Sequence, residues 1–85
     1  MKNNIKELWW SETYSAPYYT RNDDNGQRHN GTREIMDDVY DYIWEMTDGM
    51  ETEDIPDKIW LGHVNEYLQH YCISNEIKYL GLQKI

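Results

Sequence analysis

The sequence predicts a small, mainly α-helical domain: an antiparallel helix pair, a short N-terminal helix and a docked C-terminal segment. Three observations carry that expectation. Apolar residues recur at spacings of three and four over residues 35–44 and again over 59–72, the period of a helix with one buried stripe. Only a short linker, Gly49 to Asp54, separates the two periodic stretches, and short connections place neighbouring helices antiparallel. The 85-residue length allows one domain, 1–85, and not two. The alternative is an α+β fold with a short two-stranded ribbon between residues 18–20 and the C-terminal segment.

Over residues 3–10, Ile5, Leu8 and Trp9 stand at i, i+3 and i+4, which suits a short helix with Trp10 beside the stripe. Ser11 to Pro17 breaks the pattern. Tyr18-Tyr19-Thr20 clusters aromatic and β-branched residues and reads as a brief strand. Residues 21–31 contain no apolar side chain, and Asn25-Gly26 is a strong turn signal, so an exposed loop or a long hairpin tip is expected there.

A helix from Arg33 to Asp48 follows. Thr32 is its expected N-cap, Glu34 suits the positive end of the dipole, and Gly49 supplies the C′ stop. Its stripe is Ile35, Met36, Val39, Tyr40, Ile43 and Trp44. A second helix starts near Ile55-Pro56, with Asp54 as cap and Asp57 three residues on, as in a capping box. Its stripe is Ile59, Trp60, Val64, Tyr67, Leu68, Tyr71 and Cys72. Gly62 within it costs about 1 kcal/mol relative to Ala and leaves room for a close backbone approach. Ser74-Asn75 ends the helix. Ile77, Leu80, Leu82 and Ile85 make the tail apolar enough to dock, as a helical turn or as a strand.

Composition narrows the function. At 39% hydrophobic residues and a mean hydropathy of −0.98 the chain is globular with a polar exterior. No run approaches the roughly 20 apolar residues of a membrane span. Cys72 is the single cysteine, which excludes an intrachain disulfide and a thiolate metal cluster. Met1 to Lys6 has two lysines without an apolar stretch behind them, so a cytoplasmic location is expected, and the glycosylation acceptor Asn30-Gly31-Thr32 is read as coincidence. There are four Trp, eight Tyr and no Phe, so every ring carries a polar group that seeks a partner when buried. The doublets Trp9-Trp10 and Tyr18-Tyr19 are each expected to leave one ring at the surface.

The charge is local. Between Glu34 and Asp57 lie ten acids and no Lys, Arg or His; the other 61 residues hold six acids and eight bases, so −10 and +2 give the total of −8. On a helix Asp37, Asp41, Glu45 and Asp48, at i, i+4, i+8 and i+11, form one ridge opposite Met36, Val39, Tyr40 and Ile43. Successive carboxylates rise by about 6 Å. Like charges at i, i+4 destabilise a helix by about 0.2–0.5 kcal/mol each, and no base relieves them. Departure from a stability rule is where function is best sought.

Other constellations do not assemble into chemistry. His63, Glu66 and His70 share a helical face, yet the two imidazoles stand roughly 10 Å apart along the axis, and no helical zinc motif is spelled. Asp23-Asp24-Asn25-Gly26 fails the calcium-loop pattern, since Arg21 and Thr32 occupy positions that require carboxylates. Cys72 lies on the apolar stripe as a small hydrophobe. Neither a phosphate-binding glycine loop nor a nucleophile elbow is present, so no enzymatic activity and no cofactor are expected.

The function expected is a non-enzymatic acidic binding protein that inhibits a nucleic-acid-handling protein, such as a nuclease or defence effector. It would occupy the basic groove that otherwise takes phosphates, as small acidic phage anti-defence and immunity proteins do. The partner is basic, and neither nucleic acid nor membrane is bound directly. The expected contacts are Asp37, Asp38, Asp41, Glu45, Asp48, Glu51, Glu53 and Asp54, with Trp10, Tyr18 and Tyr19 supplying aromatic anchors. The alternative is a small accessory or scaffold subunit that binds a protein through the aromatic patch Trp9, Trp10, Tyr18 and Tyr19.

Overall fold

Residues Ile5–Ser11 form a strand, not the short helix expected there. In the computed structural model, which describes residues 4–22, 26–30 and 33–84, the chain is an α+β fold and not mainly α. Its order is β1 (Ile5–Ser11), β2 (Ala16–Arg21), β3 (Arg28–Asn30), α1 (Arg33–Met46), a 3₁₀ turn (Thr52–Asp54), α2 (Asp57–Asn75) and β4 (Lys78–Gln83). The strands make one sheet in the order β3-β2-β1-β4. β1 pairs antiparallel with β2 and parallel with β4, and β2 pairs antiparallel with β3. The ribbon expected between residues 18–20 and the tail is therefore replaced by a larger sheet, in which β1 separates the two.

The misreading of β1 has a physical cause. A strand covered on both faces carries a continuous apolar run, and a short run of that kind satisfies helical spacing as well as strand spacing. Leu8 and Trp10 point to the helices, while Trp9 faces the opposite side and stacks on Tyr18 with ring centroids 6.2 Å apart. Cross-strand register puts Leu8 beside Tyr19 and Trp9 beside Tyr18, so each doublet gives one ring to each face. Both tryptophans are buried, at 4% and 1% exposure, contrary to the expectation of one surface ring.

In β4, Tyr79 pairs with Leu8 and Leu82 with Trp10, so two residues of β4 stand against Trp9 alone. Gly81, with φ +84°, takes the left-handed position that this bulge requires.

Both helices cover one face of the sheet. Ile35, Val39 and Ile43 of α1 and Val64, Leu68 and Cys72 of α2, each at i, i+4, i+8, join Leu8, Trp10 and Tyr19 in one buried cluster. The stripes are narrower than the sequence suggests: Tyr40, Trp44 and Ile59 are 44%, 55% and 49% exposed. Gly62 is exposed, and a Cβ there would meet nothing within 4 Å, so it admits no close backbone neighbour.

The helix ends also depart from expectation. α1 stops at Met46, and Asp48, not Gly49, occupies the left-handed C′ position at φ 55°. The Gly49 N–H donates to the Trp44 carbonyl at 2.8 Å and the Asp48 N–H to the Glu45 carbonyl at 3.4 Å, which is a Schellman closure. α2 ends in the same way: Glu76 is left-handed, and Ile77 donates to Cys72 at 2.8 Å. At the start of α2 the N-cap is Pro56, without a side-chain cap, while Asp54 closes the preceding 3₁₀ turn. The expected cap Thr32, the Asp23-Asp24-Asn25 part of the loop and Ile85 of the tail lie outside the described residues.

Candidate functional site: the acidic face of the helix layer

With Ile35, Val39 and Ile43 fixed inward, the opposite side of α1 is determined. At about 100° per residue, Glu34, Asp37, Asp38, Asp41 and Glu45 fall within roughly 100° of arc centred away from the sheet. The face is thus a band five carboxylates wide, not a single file. All five are exposed, as are Asp48, Glu51, Glu53, Asp54 and Asp57. Among the described residues none of the ten is held in an ion pair.

The structure separates the expected contacts into two groups. Asp37, Asp38, Asp41 and Glu45 lie on α1. Asp48 does not extend their ridge, because its left-handed backbone takes it off the helical path. It belongs instead with Glu51, Glu53 and Asp54 in the connection to α2. Met36, Tyr40, Thr52, Ile55, Asp57 and Trp60 help to line a depression of ≈ 230 Å³, so this connection runs beside the Tyr40 flank of α1. The two acidic groups therefore flank exposed aromatic surface. Tyr40 leans on Trp60 with centroids 5.7 Å apart, and Trp44 lies against the Gly49 turn, where an added Cβ would come 3.2 Å from the indole.

Sequence reasoning missed Tyr40 and Trp44 because it assigned them to the buried stripe. The signal was present: the six apolar residues of α1 span roughly 180° of arc, and a helix resting on one sheet buries little more than about 100°. The excess has to be exposed.

On the other flank the acids are anchored to α2. Burial first, then the adjacent Asp38 carboxylate, which accepts its hydrogen bond, pushes the Tyr67 phenol up to about 12. Glu66 accepts from the Tyr42 hydroxyl and faces His63 Nδ1, both at 3.2 Å. Burial, with Glu66 second, raises the Tyr42 phenol. His63 thus has a carboxylate partner, His70 is exposed, and no group of three metal-ligating side chains assembles among the described residues. Cys72 is buried, and burial pushes its thiol up to about 11, away from the reactive thiolate.

The expected aromatic anchors lie elsewhere. Trp10, at 1% exposure, and Tyr19, at 7%, are core residues beneath the helices, and Tyr18 is half-buried on the opposite face of the sheet. They do not border the acids of α1; Tyr40 and Trp44 do. No described helix is long and apolar enough to cross a membrane.

The fold and its charged face define a small α+β domain with an acidic helix layer. The chain matches no protein-family profile, no curated protein and no solved structure.

Proposed function

We propose that this protein is a non-enzymatic acidic binding protein that inhibits a basic, nucleic-acid-handling protein by occupying its phosphate-binding groove. The observation that supports this reading is the carboxylate band of α1: five exposed acids on one helical face, none in an ion pair with a described base. Carboxylates at Asp37, Asp41 and Glu45 repeat every four residues, about 6 Å of rise, in a regular row of negative charge. A groove built of Lys and Arg for phosphates meets the same sign of charge here, and steering makes association fast.

Tyr40 and Trp44 add what charge alone lacks. Exposed rings beside carboxylates accept the planar face of an arginine while the acids take its N–H donors. Asp48, Glu51, Glu53 and Asp54 form the second arm of the contact. The protein works in the cytoplasm, where nucleases and defence effectors meet their substrates, and it binds neither membrane nor nucleic acid through this face.

Affinity capture from the native host at low and high salt tests the reading. The protein retained at low salt should be a nucleic-acid-binding one, eluted by added duplex DNA, and lost when Asp41→Lys and Glu45→Lys are combined. Retention unaffected by that double variant rejects the acidic face as the contact.

A further inference from the structure

The sheet face turned away from the helices holds a different kind of site. Trp9, Thr13, Tyr14, Tyr18, Arg28 and Lys84 line a concavity of ≈ 530 Å³, within the size range of small-ligand sites. Its aromatic part is ordered by the sheet. Trp9 and Tyr18, partners across β1 and β2, stack with centroids 6.2 Å apart and planes 24° apart. Tyr14, from the turn between those strands, packs on Tyr18 at 5.6 Å and remains 65% exposed. Trp9 is therefore the floor and Tyr14 an accessible wall. The Thr13 hydroxyl donates to the Lys84 carbonyl at 3.0 Å, which ties this turn to the chain after β4.

The charge of the lining runs against that of the molecule. Acids outnumber bases two to one in the sequence, yet among the described residues this concavity is lined by two bases and no carboxylate. Among the described residues neither the Arg28 guanidinium nor the Lys84 ammonium has an ion-pair partner. The carboxylates of α1 face away from the sheet, which separates them from this lining.

Stacked aromatic surface beside two cations fits a ligand with a planar ring and an attached anion. We propose that this concavity binds a nucleoside monophosphate, with its base against Tyr14 and Tyr18 and its phosphate taken by Arg28 and Lys84. A mononucleotide fits better than a strand. Strand-binding surfaces carry cations in a track along the backbone, whereas here two cations converge on one concavity.

The test is titration of the isotope-labelled protein by NMR with adenosine 5′-monophosphate, adenosine, inorganic phosphate and a single-stranded octanucleotide. The monophosphate should shift the Trp9 indole N–H and the amides of Thr13, Tyr14 and Tyr18, with adenosine and phosphate each at least about tenfold weaker. Arg28→Gln with Lys84→Gln, and separately Tyr14→Ala, should weaken the monophosphate about tenfold while leaving the remaining spectrum unchanged. These are exposed positions, so the fold survives both changes. The absence of any Trp9 shift at roughly 10 mM monophosphate overturns the proposal. Variants that bind like the parent also overturn it, as does an octanucleotide that binds more than tenfold tighter than the monophosphate.

Discussion

Asp41→Lys separates a face shaped for stability from one shaped for a partner. Asp41 has three acidic neighbours at helical contact spacing: Asp37 at i−4, Asp38 at i−3 and Glu45 at i+4. Each like-charge contact costs about 0.2–0.5 kcal/mol and an opposite-charge contact returns a similar amount, so reversal swings three contacts by about 1–3 kcal/mol in total. All four side chains are exposed, and screening brings the expected gain to about 1 kcal/mol. For a chain of this size that raises Tm by about 4–8 °C. The assay is thermal unfolding followed by circular dichroism in about 20 mM and about 1 M salt, with Asp41→Asn as the control that removes repulsion without adding attraction. The gain should be largest for Lys, about half as large for Asn, and nearly absent at high salt. A Lys variant no more stable than the parent at low salt refutes the claim that the acids repel. A gain that survives high salt refutes its electrostatic origin.

Asp48→Gly should raise stability by about 1 kcal/mol, because it relieves a left-handed non-glycine residue and removes a negative charge from a helix C-terminus; a urea midpoint at or below the parent's would contradict this. Gly62→Ala should add about 0.5–1 kcal/mol, since the new methyl meets nothing and the helix loses a flexible residue; denaturant unfolding reads it, and a loss of stability would contradict the open space at that position. Burial holds Cys72 at about 11 instead of 9.0 and Tyr67 at about 12 instead of 10.0, so both keep their protons in the folded state while the unfolded chain releases them. Their contribution is complete below pH 9 and is lost as the pH rises through 9–12, so chemical denaturation should show stability falling across that window, and a flat profile would contradict it.

How much of this was legible in the sequence depended on length of pattern and on what each pattern senses. α1 and α2 each carry two complete turns of buried apolar spacing, and both were placed to within about two residues. β1 is seven residues long and is buried on both faces only over Leu8–Ser11, so its partners across the sheet, not its own periodicity, decide its conformation. The parallel alignment of β4 with β1 depends on contacts 71 or 72 residues apart in the chain, such as Leu8 with Tyr79 and Trp10 with Leu82, which no local pattern encodes. Asp48 shows a finer limit. Glycine is the usual left-handed cap, so Gly49 drew the assignment, while the backbone in fact places the acidic residue there and Gly49 one step beyond. The exposure of the acids was readable, because charge without partners in a polar band has no other place to go. The aromatic flank was not, because exposure of Tyr40 and Trp44 follows from how little of α1 the sheet can cover.

The placement of charge is independent of what holds the fold together. The cluster formed by Ile35, Val39, Ile43, Val64, Leu68 and Cys72 against Leu8, Trp10 and Tyr19 contains no charged side chain, and it would be unchanged if every outward acid were lysine. Neither helix carries a base in its last turn, where one would be favourable, and each ends on an acid in the left-handed position, where charge and backbone are both unfavourable. These departures share one sign. Solubility alone is served by mixed charge as well as by acids, and mixed charge would remove the repulsion along α1. A sequence that concentrates ten acids on the helix side and leaves two bases without a described ion-pair partner beside stacked rings on the open sheet face gives its two faces opposite electrostatic preferences, so the two should bind different molecules and be separable by mutation.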